Sequence, residues 1–184
     1  MKKITWIWIG VIVILVLYVW SVYNGLVSTS VAIDGQWAQV ETQYQRRFDL
    51  IPNLVESVKG IMKQEQAIFD AIAQARTQYA GAKTTDQKAQ AAGQVESALG
   101  RLLVITENYP QLKSSETVQT LMSQLEGTEN RVSVERKRFN DMVQVYNLKT
   151  KQFPSSIFAK LFGFVSHSYF ESVQGSETAT KVQF

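Results

Sequence analysis

The side chains in this chain that could do chemistry are few, and their spacing excludes most of the chemistry they could do. The single histidine, His167, has no acidic or histidine neighbour at ligand spacing. A zinc site draws several such ligands, and a catalytic base needs a nucleophile within reach. Cysteine is absent, which removes thiolate metal sites, thiol nucleophiles and any disulfide framework. No G-x-S-x-G elbow, phosphate-binding glycine loop, H-E-x-x-H pair or calcium loop occurs. Gly60, Gly81, Gly93, Gly100 and Gly127 stand singly, as glycines do at close packing or helix ends. No cofactor, no metal and no small-molecule substrate is expected.

Polar residues set inside apolar helical faces say more, because burying them costs free energy unless they are paired. Glu65 fills a slot in an apolar stripe. Glu129 and Arg136, seven apart, occupy intermediate positions between Met122 and Val143. Arg46, Arg47 and Asp49 crowd together just before Pro52, where Asn53 and Asn130 could join them. The favoured reading is an internal layer of ion pairs and amides that fixes helix register. A carboxylate metal site in a bundle would draw Glu-x-x-His pairs from facing helices, and no such pair exists here. Two acids for glycoside cleavage would need a cleft, which a slender bundle does not offer. An enzyme built on Glu65 and Glu129 therefore ranks last, and no enzyme is expected.

The elements that must position these residues are helices. Over residues 50–80, Leu54, Val58, Ile61, Ile68, Ile72, Ala75 and Tyr79 recur at steps of three and four, with Glu65 in the remaining slot. Over residues 114–153, Val118, Leu125, Val132, Phe139 and Tyr146 fall seven apart, the seam of helices crossing at a shallow angle. Residues 85–108 begin with Ala89, Ala91 and Ala92 and end with Leu99, Leu102, Leu103 and Ile105. Residues 29–48 form a further stretch with Val31, Trp37, Val40 and Tyr44. Asp49 and Pro52 suit an N-cap and first turn, so a helix either starts there or kinks. Tyr109-Pro110 and Phe153-Pro154 end helices, because the residue before proline avoids the α region. Ser114 or Ser115 can cap the last long one. Strand signals are nearly absent.

Residues 4–23 carry no charge, and the first acidic residue after Lys3 is Asp34. Twenty residues at about 1.5 Å each span roughly 30 Å, the thickness of a bilayer's hydrocarbon core. Lys2 and Lys3 precede the run, whereas Arg46 and Arg47 lie far beyond it. The positive-inside rule then keeps residues 1–3 in the cytoplasm and exports the remainder across the bacterial inner membrane. Trp20 and Tyr23 suit the far interface. Ser28 and Ser30 imitate a signal-peptidase site poorly, so an anchor is expected and not a cleaved leader. Two of the formal +3 charges are Lys2 and Lys3. The exported part carries no basic field that would argue for nucleic acid.

After the bundle expected over residues 24–153, an aromatic amphipathic segment spans residues 154–174. Phe158, Leu161, Phe162, Phe164, Tyr169 and Phe170 crowd into it. Such a cluster either folds back to close one end of the bundle or forms an oligomer or membrane contact. Residues 175–184 read as a flexible tail whose end, with Val182 and Phe184, could add as a short strand to a neighbour.

These residues together resemble the LemA family. Tyr23-Asn24-Gly25-Leu26-Val27 is similar to its opening motif. Trp37-Ala38-Gln39-Val40 through Gln43, then Arg46-Arg47-Phe48-Asp49-Leu50-Ile51-Pro52-Asn53-Leu54-Val55 and Val58-Lys59-Gly60, resemble its most specific signature. Further matches are Glu107-Asn108-Tyr109-Pro110-Gln111-Leu112-Lys113, Leu125-Glu126-Gly127-Thr128-Glu129-Asn130-Arg131, Phe139-Asn140, Tyr146-Asn147 and Phe153-Pro154. Many members carry His-Glu where this chain reads Gln64-Glu65, so no role for such a histidine carries over. The resemblance implies a single-span membrane protein with a long-helix bundle and no established catalysis.

The expected fold is all-α: one N-terminal transmembrane helix continuing into an elongated antiparallel bundle of four long helices, with the short aromatic segment at its end. The expected function is a non-catalytic envelope scaffold or interaction protein that forms homo-oligomers. The alternative is an accessory or sensor partner of a membrane protease or another envelope complex.

Overall fold

The structure is a computed structural model and describes residues 2–170, with side chains from Ile4 onward. Its regular elements are all helices, with no strand among the described residues. The helices are α1 (Lys2–Lys59), α2 (Gln66–Gly81), α3 (Thr85–Thr106), α4 (Pro110–Lys113), α5 (Glu116–Lys151) and α6 (Ser155–Leu161).

Of the two alternatives at Pro52, a new helix or one continuous helix, the structure has the continuous one: α1 runs through that proline to Lys59. Proline inside a helix costs about 3 kcal/mol through its missing N–H and its ring. Phe48, Ile51, Leu54 and Val58 around it are all buried, and burial stabilises by about 1.5–3 kcal/mol for each such side chain. Packing outweighs the local penalty. The chain breaks instead after Lys59, at Gly60, where Ile61 and Met62 both donate to the Val58 carbonyl. Six residues then separate α1 from α2, and this resets the helical phase. Ile61 is therefore exposed and Ile68 half-buried, while Met62 and Phe69 take the core positions that the continuous stripe had given them.

The described residues form two compact units, one of α1 up to Ala38 with Lys137–Tyr169, the other of Gln39–Arg136 with Phe170. In the first, Leu26 and Ile33 of α1 are buried, as are Phe139, Val143 and Tyr146 of α5 and Ala159 of α6. Trp37 meets Phe139 edge to face at 5.8 Å. α6 closes on Gly163 at φ +77°, a left-handed conformation that side chains other than glycine's resist. Phe164 N–H donates to the Ala159 carbonyl at 2.9 Å and Gly163 N–H to the Lys160 carbonyl at 3.3 Å, so the helix's last carbonyls are satisfied.

In the second unit, Val40, Tyr44, Phe48, Ile51, Leu54 and Val58 line one face of α1 at steps of three and four. They share a core with Ile72 and Tyr79 of α2, Ala92, Val95, Leu99 and Leu102 of α3, and Val118, Leu125 and Val132 of α5. α2 and α3 pack on each other, and the buried Ala91 and Ala92 let their backbones approach. α3 starts with a capping box. Thr84 Oγ1 accepts from Gln87 N–H at 3.2 Å, and Gln87 Oε1 accepts from Thr84 N–H at 3.4 Å. Ser115 Oγ accepts from Val118 N–H at 3.5 Å at the start of α5.

Candidate functional site

The second unit holds a charged cluster contributed by three helices. Arg47 of α1, 8% exposed, faces Glu96 of α3, 11% exposed, at 3.8 Å. Arg136 of α5 donates from Nη1 to both carboxylate oxygens of Glu96 at 3.3 Å, and the Tyr44 hydroxyl donates to Oε1 at 3.3 Å. Glu129, one face along α5, pairs with Arg47 from a site that is 42% exposed. The Arg136 guanidinium also lies 5.1 Å from the centre of the Phe170 ring.

Burial sets the electrostatics here. It pushes the Tyr44 phenol well above its ordinary range, and the neighbouring Glu96 charge adds to the rise. It pulls the Arg47 guanidinium down, while Glu96 opposes that shift. Both Glu96 oxygens are engaged by cations or a phenol. Among the described residues no group of three or more histidine, cysteine, aspartate or glutamate side chains could hold a metal.

Of the polar residues marked in the sequence, the structure brings Arg47, Glu129 and Arg136 together. Arg46, Asp49, Asn53 and Asn130 sit on exposed positions, outside the cluster. Neighbours on a helix point about 100° apart, so Arg46 turns outward where Arg47 turns in. Asp49 accepts from Gln45 Nε2 at 2.9 Å on that outer face and does not cap a helix. Glu65 is elsewhere, half-buried ahead of α2, where it accepts from the Tyr109 hydroxyl at 3.3 Å. Burial raises the Tyr109 phenol, and the Glu65 charge and hydrogen bond add to the rise. Glu96 is the central acid that the sequence reading passed over. Its signal was present: it falls four after Ala92 and three before Leu99, inside a buried stripe.

The first unit carries the aromatic cluster. Phe158 packs edge-on against Tyr18 at 6.0 Å, and Phe162 and Phe164 pack against Tyr23 at 5.2 and 5.8 Å. Leu161 and Tyr169 remain exposed. Val182 and Phe184 lie outside the described residues. Leu15, Val16, Val19, Trp20, Tyr23 and Phe162 line an open groove of about 640 Å³. α1 itself is long and apolar enough to cross a membrane by length and composition, and its most apolar window is unburied.

Among the described residues the regular elements are all helices, one of them long and apolar enough to cross a membrane, and this defines the class: a helical protein with a candidate N-terminal span. The chain belongs to the LemA family, whose model matches residues 36–184. It is similar to the magnetosome proteins MamQ 2 and MamQ 1 of Paramagnetospirillum magneticum, each 25% identical over 182 residues, covering 85% of this chain and 67% of the relative. The magnetosome protein MamQ of Magnetospirillum gryphiswaldense is 33% identical over 82 residues, covering 45% of this chain and 30% of that relative.

Proposed function

We propose that this chain is a non-catalytic, membrane-anchored protein of the bacterial envelope that assembles with copies of itself into a scaffold. The carrying observation is α1. Its first turns expose Trp6, Ile7, Trp8, Ile12, Ile14 and Leu17 on every side, and the same helix then buries Leu26 and Ile33 on one face only. A helix apolar all round belongs in lipid, and a one-faced helix belongs in a water-soluble core. Lys2 and Lys3 orient the N-terminus toward the cytoplasm of the inner membrane and leave residues 24–153 outside as the bundle. In this reading the Arg47, Glu96, Arg136 and Glu129 cluster selects which helices meet, the best-attested use of buried ions in helical packing. The relatives are named as magnetosome proteins and not as enzymes, which agrees with a structural role.

In-cell crosslinking followed by mass spectrometry of the extracted membranes tests the proposal. Links between copies of this chain, together with retention of residues 4–23 in the membrane fraction, are expected. Links to one distinct second protein with none between copies would replace the scaffold with the accessory role. A mature chain that starts near residue 30 would remove the anchor.

A further inference from the structure

We propose that residues 153–165 form a second membrane contact, in which α6 and its flanks enter the bilayer interface beside α1 at the Tyr23 end of the span, with anionic lipid as the occupant. The inference rests on reading α1 as membrane-spanning, and it assigns a partner to the aromatic cluster.

Depth is the first argument. Tyr18 lies five residues before Tyr23, or about 7.5 Å deeper at 1.5 Å per residue. Phe158 touches Tyr18 and Phe162 touches Tyr23, so α6 is held level with the last turns of the span. A segment tied to those turns must share their surroundings.

Its surface suits that place. Phe153 is 81% exposed, Leu161 73% and Val165 74%, far more apolar surface than a soluble loop usually presents. The groove is walled by the span residues Leu15, Val16, Val19, Trp20 and Tyr23 together with Phe162, an apolar lining that suits an acyl chain. Backbone groups near lipid need internal partners. Here Phe162, Gly163 and Phe164 N–H groups bond to carbonyls of α6, and Ser155 Oγ donates to the Lys149 and Gln152 carbonyls at 2.6 and 2.9 Å.

Charge then favours lipid over a second copy. Residues 142–170 contain Lys149, Lys151 and Lys160 but no aspartate or glutamate. Lys149 Nζ donates to Thr29 Oγ1 at 2.8 Å, six residues beyond Tyr23, which puts it near headgroup depth. A symmetric contact between two such surfaces would set lysines against lysines. Anionic headgroups complement them.

Because the chain has no cysteine, single spin labels can be placed cleanly on the full chain in phosphatidylcholine–phosphatidylglycerol vesicles. Leu161→Cys and Val165→Cys report on the segment, Val16→Cys on the span, and Ser133→Cys on an exposed position of α5. The expected result is that labels at 16, 161 and 165 relax with oxygen and are shielded from a water-soluble nickel chelate, while the label at 133 is open to nickel. Labels at 161 and 165 that respond to nickel, or to neither reagent, while 16 remains in lipid, would overturn this inference and leave the anchor standing. Nickel access at 16 would overturn the anchor, and the inference with it.

Discussion

Asn147 grips the backbone of His167 with two reciprocal hydrogen bonds. Its Nδ2 donates to the His167 carbonyl at 2.9 Å, and the His167 N–H donates to its Oδ1 at 2.9 Å. Asn147 is buried in α5, and the neighbouring Tyr146 ring meets the imidazole edge to face at 5.0 Å. The one histidine in the chain is thus held by its main chain, and its ring serves packing.

Replacing Asn147 with Leu leaves both backbone groups of residue 167 without their partner, which costs about 1–3 kcal/mol. Residues 153–170 should then exchange amide hydrogens faster than in the wild type, while most of α5 is unchanged. His167→Ala keeps both bonds and loses only the ring contact, worth about 0.5–1.5 kcal/mol. Thermal unfolding of the detergent-extracted variants by circular dichroism ranks them. A larger loss for His167→Ala would contradict the clamp.

Glu96→Gln removes the carboxylate shared by Arg47 and Arg136. Breaking a buried pair on one side costs about 3–5 kcal/mol, because the remaining charge stays buried. Glu129→Gln should cost less, about 0–1 kcal/mol, since its side chain is 42% exposed overall and Arg47 still faces Glu96. Equal shifts in the unfolding midpoint for the two variants would show that Glu96 is not the centre of the cluster.

Alkaline pH should weaken the second unit. Burial raises the Tyr79 phenol from its usual 10.0 to about 12, with the Glu41 charge contributing, and burial raises Tyr44 as well. A raised folded pKa means the folded state prefers the protonated phenol. The stability it contributes is complete below pH 10, the unfolded value, and is lost as pH rises through about 12. The buried Tyr79 hydroxyl finds no hydrogen-bond partner among the described residues, so Tyr79→Phe should keep neutral-pH stability and lose less between pH 10 and 12. Tyrosinate absorbance recorded alongside circular dichroism checks both statements.

Thr84→Ala abolishes the side-chain acceptor of the capping box and should cost about 1 kcal/mol, whereas Thr84→Ser should retain most of it. Denaturant midpoints of the two variants measure the difference. Identical midpoints for wild type and Thr84→Ala would mean that packing between α2 and α3 alone sets where α3 begins.

What could be read without coordinates followed from local periodicity. The sevenfold series Val118, Leu125, Val132, Phe139 and Tyr146 is buried at every position, because a side chain's direction on a helix depends only on its place in the turn. The charge-free stretch of α1 was equally plain, since length and composition suffice to define it. Contacts between residues far apart in the chain were not legible. Glu96 meets Arg47 and Arg136 across separations of 49 and 40 residues. No local rule chooses those partners. Helix ends that depend on competing packing were decided in the same way. Pro52 marks a break by its own chemistry, yet the buried side chains around it hold α1 together, and the chain turns at Gly60 instead. Sequence determined which residues share a face. Only the tertiary structure decided what each face meets, because that choice is made by the summed burial of several helices at once.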